Sequence, residues 1–263
     1  MSQTSVGLTA DQVVSALGLP AAAMVNQRVP KKLLLENGAP TAADRKLIQD
    51  HIEAVTWVAA LKPANVGVPD YQDAQRTYLE LAVLSVVLQD LGATDPQSTK
   101  VHRIGELLHR AIPYPVLLVL QDGDRLFMSL CHIRWAQKET DKTVLDGEHL
   151  FAMLAPDAFR SAFLAALALN QQPRADLFAL YQGWMDTVSA WQAAAVSGRF
   201  ALSESPAQAT ERRAALHRCR ELDAQIASLR SAASKEKQVA RQVAVNLEIK
   251  ALLADRQRIA ANV

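Results

Sequence analysis

The last quarter of the chain, residues 205–263, contains no glycine and no aromatic residue, and its only proline is Pro206 at the start. No other feature constrains the fold as strongly. Without Phe, Tyr or Trp such a segment cannot easily fill a three-dimensional core. Its Ala, Leu, Arg, Glu and Gln are helix formers, however, and can bury a narrow seam between helices. Ser205-Pro-Ala-Gln208 supplies the start signal: a capping serine, a proline at the first helical position and a glutamine three residues beyond the cap. Leu222, Ile226, Leu229 and Ala233 then alternate four and three apart, the spacing of a coiled-coil seam. Beyond Ser234 the seam changes register, to Val239 and Val243 and then to Val245, Ile249, Leu252 and Ile259. That shift predicts either a stutter or a helical hairpin folding back near Ser231–Ser234. A lone helix would leave the seam wet, and burying each Leu or Ile contributes roughly 1.5–3 kcal/mol. Leu222, Ile226, Leu229, Val243, Ile249 and Leu252 are therefore the expected interface, covered by the arm's own returning half, by a second copy in a homo-oligomer, or by another protein.

The front of the chain reads differently. Val116–Leu120 is apolar, Gln121-Asp-Gly-Asp124 is a turn, and Leu126–Ile133 is again apolar. Asp-Gly between two such runs predicts a β-hairpin, because a tight hairpin turn needs φ > 0. Tyr78–Leu88 reads as a buried strand, and Val144-Leu145 as a further edge strand. Thr9-Ala-Asp-Gln12 is a capping box for a short helix that Pro20 stops. Arg28–Glu36 reads as an entry loop and a short strand, followed by an Asn37-Gly38 turn. Thr41, with Asp44 in the first turn, caps a helix expected to carry Leu47, Ile48, His51, Ile52, Val55 and Val58 and to end before Pro63. Thr99 opens another helix, through Ile104, Leu107 and Leu108, that Ile112-Pro-Tyr-Pro115 must break. From Pro156 the pattern is helical, with Pro173 suited to a first helical position and Leu177, Leu180, Trp184, Val188 and Trp191 forming a stripe. The expected architecture is α+β: a small mixed sheet with helices over 1–155, a helical segment over 156–204, and a long helical hairpin or coiled-coil arm over 205–263.

Charge follows the same division. Residues 205–263 carry eleven Lys and Arg against six Asp and Glu, leaving seventeen against twenty-one in the rest. The near balance over the whole chain excludes a polyelectrolyte glove for nucleic acid. Half the residues are apolar and 21% are charged, which argues against disorder. No apolar run is long enough to span a bilayer, and the opening Met-Ser-Gln-Thr-Ser lacks the basic region and apolar core of an export signal. Two cysteines, Cys131 and Cys219, do not make a disulfide framework. A cytoplasmic protein without membrane contact is the expectation.

Three stretches resemble a bacterial family, domain of unknown function 4391. They are Val29-Pro-Lys-Lys-Leu33 with Ile52-Glu-Ala-Val-Thr-Trp-Val-Ala-Ala-Leu-Lys-Pro63; Ile112-Pro-Tyr-Pro-Val116 with Cys131-His-Ile-Arg134; and Lys235-Glu-Lys-Gln238 with Arg241-Gln-Val243 and Val245-Asn-Leu-Glu-Ile-Lys250. They stand in the family's order over most of the chain. The resemblance implies an accessory protein encoded beside restriction-modification and phage-defence genes, near methyltransferases and helicases, and it implies no catalytic residue.

The chemistry-bearing residues are few. His102 and His109 lie seven apart on one predicted helix, ~10.5 Å along the axis, too far to share an ion directly. Cys131 and His132 are neighbours on a strand and face opposite ways. No metal site is expected. A nuclease would need convergent carboxylates for Mg²⁺ and a nearby lysine. Glu80 is followed by Leu-Ala, Asp122 and Asp124 suit a turn, and Glu248-Ile-Lys250 lies in the helical arm. Gly-rich phosphate loops and nucleophile motifs are absent, so no cofactor is expected. Arg212 and Arg213, among the arm's arginines, could meet phosphate but read better as a solvated helix exterior. Lys31 and Lys32 read as a loop edge that could also meet phosphate. His132 and Arg134, at the end of the hairpin, are candidates for a contact surface. The sequence thus points to a non-catalytic accessory protein that docks on a protein partner, a helicase or methyltransferase of a restriction-like or phage-defence system. A metal-dependent nuclease or other nucleic-acid enzyme using Glu80, Asp122 or Asp124 and a non-catalytic nucleic-acid binder are the alternatives.

Overall fold

A computed structural model describes residues 7–91, 98–136, 143–155, 158–261 and 263. Pro156 and the opening Met-Ser-Gln-Thr-Ser lie outside these residues. In chain order the elements are α1 (Ala10–Ala16), β1 (Met24–Arg28), α2 (Lys31–Gly38), α3 (Ala42–His51), β2 (Ile52–Leu61), α4 (Pro63–Val66), β3 (Tyr71–Gln72), β4 (Thr77–Tyr78) and β5 (Leu81–Leu88). They continue with α5 (Thr99–Ala111), β6 (Val116–Asp122), β7 (Arg125–Trp135), β8 (Thr143–Met153), α6 (Arg160–Ala166), α7 (Leu177–Ser197), α8 (Pro206–Lys235) and α9 (Val239–Ala260). Two compact units result, 1–188 and 189–263, and the division falls within α7. The helical stretch expected over 156–204 is therefore shared between them.

The first unit is built on a six-stranded mixed sheet in the order β1-β2-β5-β6-β7-β8, with β3 and β4 forming a separate small ribbon. Among the described residues only β5 and β6 pair in parallel, and α5 makes the crossover that a parallel pair requires. The predicted hairpin is present: Asp122 pairs with Arg125, and Gly123 takes φ of +56°. The two central strands are covered on both faces, which is why Leu81–Leu88 and Val116–Leu120 read as almost unbroken apolar runs. One face packs against α2, α3 and α5 through Leu34, Ile48, Ile104, Leu107, Leu118 and Phe127. Gly38 lets α2 close on α5, since a Cβ there would sit 2.6 Å from the Leu107 carbonyl oxygen. The other face carries α7, whose buried Tyr181 donates to the Val116 carbonyl at 2.7 Å and accepts from the Cys131 N–H at 3.0 Å.

Local capping follows the sequence closely. Thr9 and Gln12 form the expected box. Thr41 accepts from the Asp44 N–H at 3.1 Å, and Arg103 grips the Asp44 carboxylate at 2.9 and 3.0 Å, holding it below the usual carboxylate range.

Three local expectations are corrected. The strand expected over Arg28–Glu36 is helix α2 from Lys31, its entry set by Pro30; Lys, Leu and Glu are good helix formers, and only Leu34 and Gly38 are buried. The helix expected from Thr41 to just before Pro63 stops at His51, and Ile52–Leu61 is β2. Ile52, Val55, Thr56 and Val58 are β-branched and suit a pleated surface. Their spacing imitates a helix because Ile48 on α3 and Ile52 and Val55 on β2 enter the same core. Pro173 precedes α7 rather than starting it; Asp176 caps the helix by accepting from the Ala179 N–H at 2.7 Å.

The second unit contains two antiparallel helices. Ser205 caps α8 by accepting from the Gln208 N–H at 3.2 Å. The reversal comes at Glu236–Gln238, just past the serines, because the Ser234 hydroxyl donates to the Ser231 carbonyl and both remain in the helix. Gln242 reaches back to the Ala233 carbonyl at 3.3 Å, and Arg256 pairs with Asp223 farther down the hairpin.

Candidate functional site

In the sheet unit the candidate polar residues are largely turned inward. His132, on β7, faces α7 and uses both ring nitrogens. Burial raises the pKa of the Tyr78 hydroxyl, so it stays protonated and donates to Nδ1; Nε2–H donates to Gln182 Oε1 at 2.9 Å, and Gln182 donates to Asp186 at 2.9 Å. The chain of donors fixes one imidazole tautomer and ties β4, β7 and α7 together. Phe178 stacks on the same ring, 4.7 Å between centroids. Arg134 leans on Asp146 at 3.5 Å, and Arg76 holds the other oxygen of that carboxylate at 2.6 Å. This arrangement clamps the β3–β4 ribbon to β8 and leaves no basic nitrogen of His132 open to a ligand.

Three residues farther back on β7, Ser129 faces α5 on the opposite side of the sheet. Its hydroxyl lies 2.9 Å from His109 Nε2 and 2.7 Å from His149 Nε2. His102 comes within 4.6 Å of the His149 ring, centroid to centroid. The sequence pairs His102 with His109, but the structure places His149, from β8, between them. Gly105 makes the room, since a Cβ there would lie 3.0 Å from the Ser129 oxygen. Burial, with His102 nearby, brings His149 down to about 4, and burial likewise lowers His109, so both rings are neutral at pH 7. His149 Nδ1 is buried without a hydrogen-bond partner. Among the described residues no three His, Cys, Asp or Glu side chains are placed to hold a metal ion.

The nuclease candidates are spread out. Glu80 immediately precedes β5, and Lys62 holds its carboxylate at 3.0 Å. Asp122 ends β6 opposite Leu88 and pairs with Arg125. The parallel register of β5 and β6 therefore puts Glu80 and Asp122 at opposite ends of neighbouring strands, about 26 Å apart at 3.3 Å per residue. Asp124 sits in the hairpin turn. Lys31 and Lys32 occupy the first turn of α2, Lys31 donating to the Gln49 carbonyl at 3.4 Å and Lys32 facing Glu36 at 3.7 Å. A half-open apolar cavity of about 200 Å³ lies between α2 and the sheet, lined by Leu33, Leu34, Trp57, Ile112, Pro113 and Tyr114 among others.

In the helical hairpin the predicted interface splits in two. Leu222, Ile226 and Ile249 are buried, with Leu229 and Leu252 half-buried; these form the seam between α8 and α9. Val243 is not part of it. With Val239 and Leu247 it forms a second stripe on the other side of α9, and the three are 74%, 53% and 63% exposed. The change of register in the sequence thus belongs to the hairpin and not to a stutter. Val239, Val243 and Leu247 follow one line of the helix, while Val245, Ile249 and Leu252 follow another. Arg212 is buried, which removes it from any phosphate-contacting surface, and Arg213 donates to Thr210 at 3.2 Å.

The architecture is that of an α+β domain followed by a helical hairpin, with Val239, Val243 and Leu247 forming an exposed apolar stripe on α9. The family model for a domain of unknown function (DUF4391) matches residues 17–255, and the chain belongs to that family. Comparison with curated proteins and with solved structures returned no match.

Proposed function

We propose that this chain is a non-catalytic accessory protein that docks onto a protein partner through the outer face of α9. Following the resemblance noted from the sequence, the partner class is a helicase or DNA methyltransferase of a restriction-like or phage-defence system, met in the cytoplasm. The observation that carries the reading is the bare stripe Val239, Val243 and Leu247. A helix of a folded protein normally turns its apolar residues inward, and α9 already does so with Ile249 and Leu252. A second apolar line on the water side gains nothing unless something covers it. The inner seam, read as coiled-coil packing, would stiffen the arm that presents it. The sheet unit offers less: its histidines and most of its arginines are engaged with neighbours.

The test uses tagged full-length protein purified from its native host. A stoichiometric protein retained by the wild type and lost from Val243→Glu with Leu247→Glu is the expected result. Equal retention by both would sink the docking reading. Mg²⁺-dependent cleavage of DNA by the purified protein, abolished by Glu80→Ala, would replace the accessory reading with the nuclease.

A further inference from the structure

Resting on that docking reading, we propose that the outer face of α9 and the tip of the hairpin receive an acidic amphipathic helix of the partner. The cations of the hairpin divide into occupied and unoccupied ones. Toward its base they are paired: Arg218 with Glu221 at 2.9 Å, Arg220 with Gln192 at 3.2 Å, Arg256 with Asp223 and Arg258 with Asp255. Toward the tip they are not. Arg230, Lys235, Lys237 and Arg241 are exposed and make no ion pair or hydrogen bond among the described residues. Between Asp223 and Glu248 the only carboxylate is Glu236, and it already accepts from the Gln238 N–H at 2.8 Å.

The stripe itself has the same bias. At 100° per residue, Val239, Val243 and Leu247 lie within about 80° of one another, and Lys250 falls among them. Glu248 and Asp255 fall more than roughly 80° outside this arc. Lys237 at the turn and exposed Lys250 therefore bracket the stripe, about 20 Å apart along the axis, with no acid on that face. A helix presenting apolar residues to Val239, Val243 and Leu247, and carboxylates about four turns apart to the two lysines, satisfies both features at once. Other occupants fit less well. A nucleic-acid backbone would answer the cations but leave the valines and leucine wet, and residues 205–263 offer no aromatic ring for a base to stack on. A second copy of the chain brings the same surplus of positive charge to the contact. A lipid surface favours aromatic anchors that α9 lacks.

The experiment uses the full-length chain and a fluorescent synthetic eighteen-residue helix, with leucine on one face and glutamate elsewhere, followed by anisotropy. Controls are the same helix with lysine for glutamate, a twenty-base-pair DNA duplex, and phosphatidylserine–phosphatidylcholine vesicles. The glutamate helix should bind and the lysine helix should not. Lys237→Glu with Lys250→Glu should weaken the glutamate helix about tenfold or more and admit the lysine helix. These positions are exposed, so unchanged circular dichroism and melting identify the loss as one of binding. No binding of the glutamate helix, equal binding of both helices, tighter binding of DNA or vesicles, or self-association abolished by Val243→Glu would overturn the inference. Retention of the native-host partner separates the two proposals. Loss in Val243→Glu with Leu247→Glu, but not in the lysine variant, would leave docking intact and remove the acidic partner. Retention in both would remove docking itself.

Discussion

The sheet unit and the helical hairpin spend their polar and apolar groups in opposite ways. In the first, an exposed surface is hardly needed to account for the functional-looking residues. His132 is used on both nitrogens, Ser129 sits between two histidines, and Arg76 and Arg134 share Asp146. In the hairpin, four cations toward the tip have no partner among the described residues, and Val239, Val243 and Leu247, with Leu253, face water. A chemically rich side chain is thus a poor guide to function when its neighbours consume its bonding capacity. Plain valines and lysines become informative when nothing does. The contrast also has an energetic form: changes in the sheet unit should act on stability, and changes on the outer face of α9 should act on binding alone.

The largest effect that tests this contrast is expected at Phe127, which is fully buried in the core between the sheet and α5. Phe127→Ala should cost about 3–5 kcal/mol, from lost transfer energy and the cavity left behind. Urea unfolding followed by tryptophan fluorescence would measure it, since Trp57, Trp135 and Trp184 report on this unit. A cost below 1 kcal/mol would mean that the core is far looser than its burial implies.

Next in size is a pH effect at His149. Its folded value, about 4, lies below the ordinary histidine value of 6.5, so the unfolded chain binds the proton more readily. The stability that neutral His149 contributes is complete above pH 6.5 and is lost progressively as the pH falls toward 4. The shift corresponds to roughly 3 kcal/mol. Buried His109 acts in the same direction. Unfolding midpoints should therefore fall between pH 7 and 5, and His149→Phe should flatten that dependence. A slope as steep in the variant as in the wild type would assign it to another group.

What could be read in advance follows the distinction between local and distant causes. The caps at Thr9, Thr41 and Ser205 and the turn at Asp122-Gly123 were legible because each depends on a few adjacent residues. The end of α3 was not: Ile48, Ile52 and Val55 keep helical spacing across a change of element, because both elements feed one core. The Ser129 cluster was hidden for a related reason. His149 comes from β8 and meets α5 only once the sheet has formed. On α9 the apolar positions were all visible as residues, but their division into an inner and an outer line depended on where α8 packs. The tip lysines, read only as part of a family-like stretch, could have been singled out by the absence of acid between Asp223 and Glu248 except at Glu236.

A smaller loss is expected at the start of the hairpin. Ser205→Ala removes the side chain that accepts from the Gln208 N–H and should cost about 1 kcal/mol. Circular dichroism at 222 nm would register it as earlier melting of helix. A loss confined to tryptophan fluorescence of the sheet unit, with helix unchanged, would break the assignment of this cap to the hairpin.

The smallest stability effect is the most informative. Leu247 is 63% exposed and lies on the line of α9 away from the seam, so Leu247→Ser removes little buried contact. Its unfolding midpoint should match the wild type within about 0.5 kcal/mol, the range of surface substitutions. Ile249→Ser, two residues on and buried in the seam, should cost several times more. The pair isolates the outer face from the inner one within a single helical turn. If Leu247→Ser destabilised the isolated protein as much as Ile249→Ser, the stripe would already be covered within the chain, and a partner would no longer be needed to explain it. If Leu247→Ser left stability unchanged but weakened docking, that line of α9 would be under selection for what it meets rather than for what it holds together.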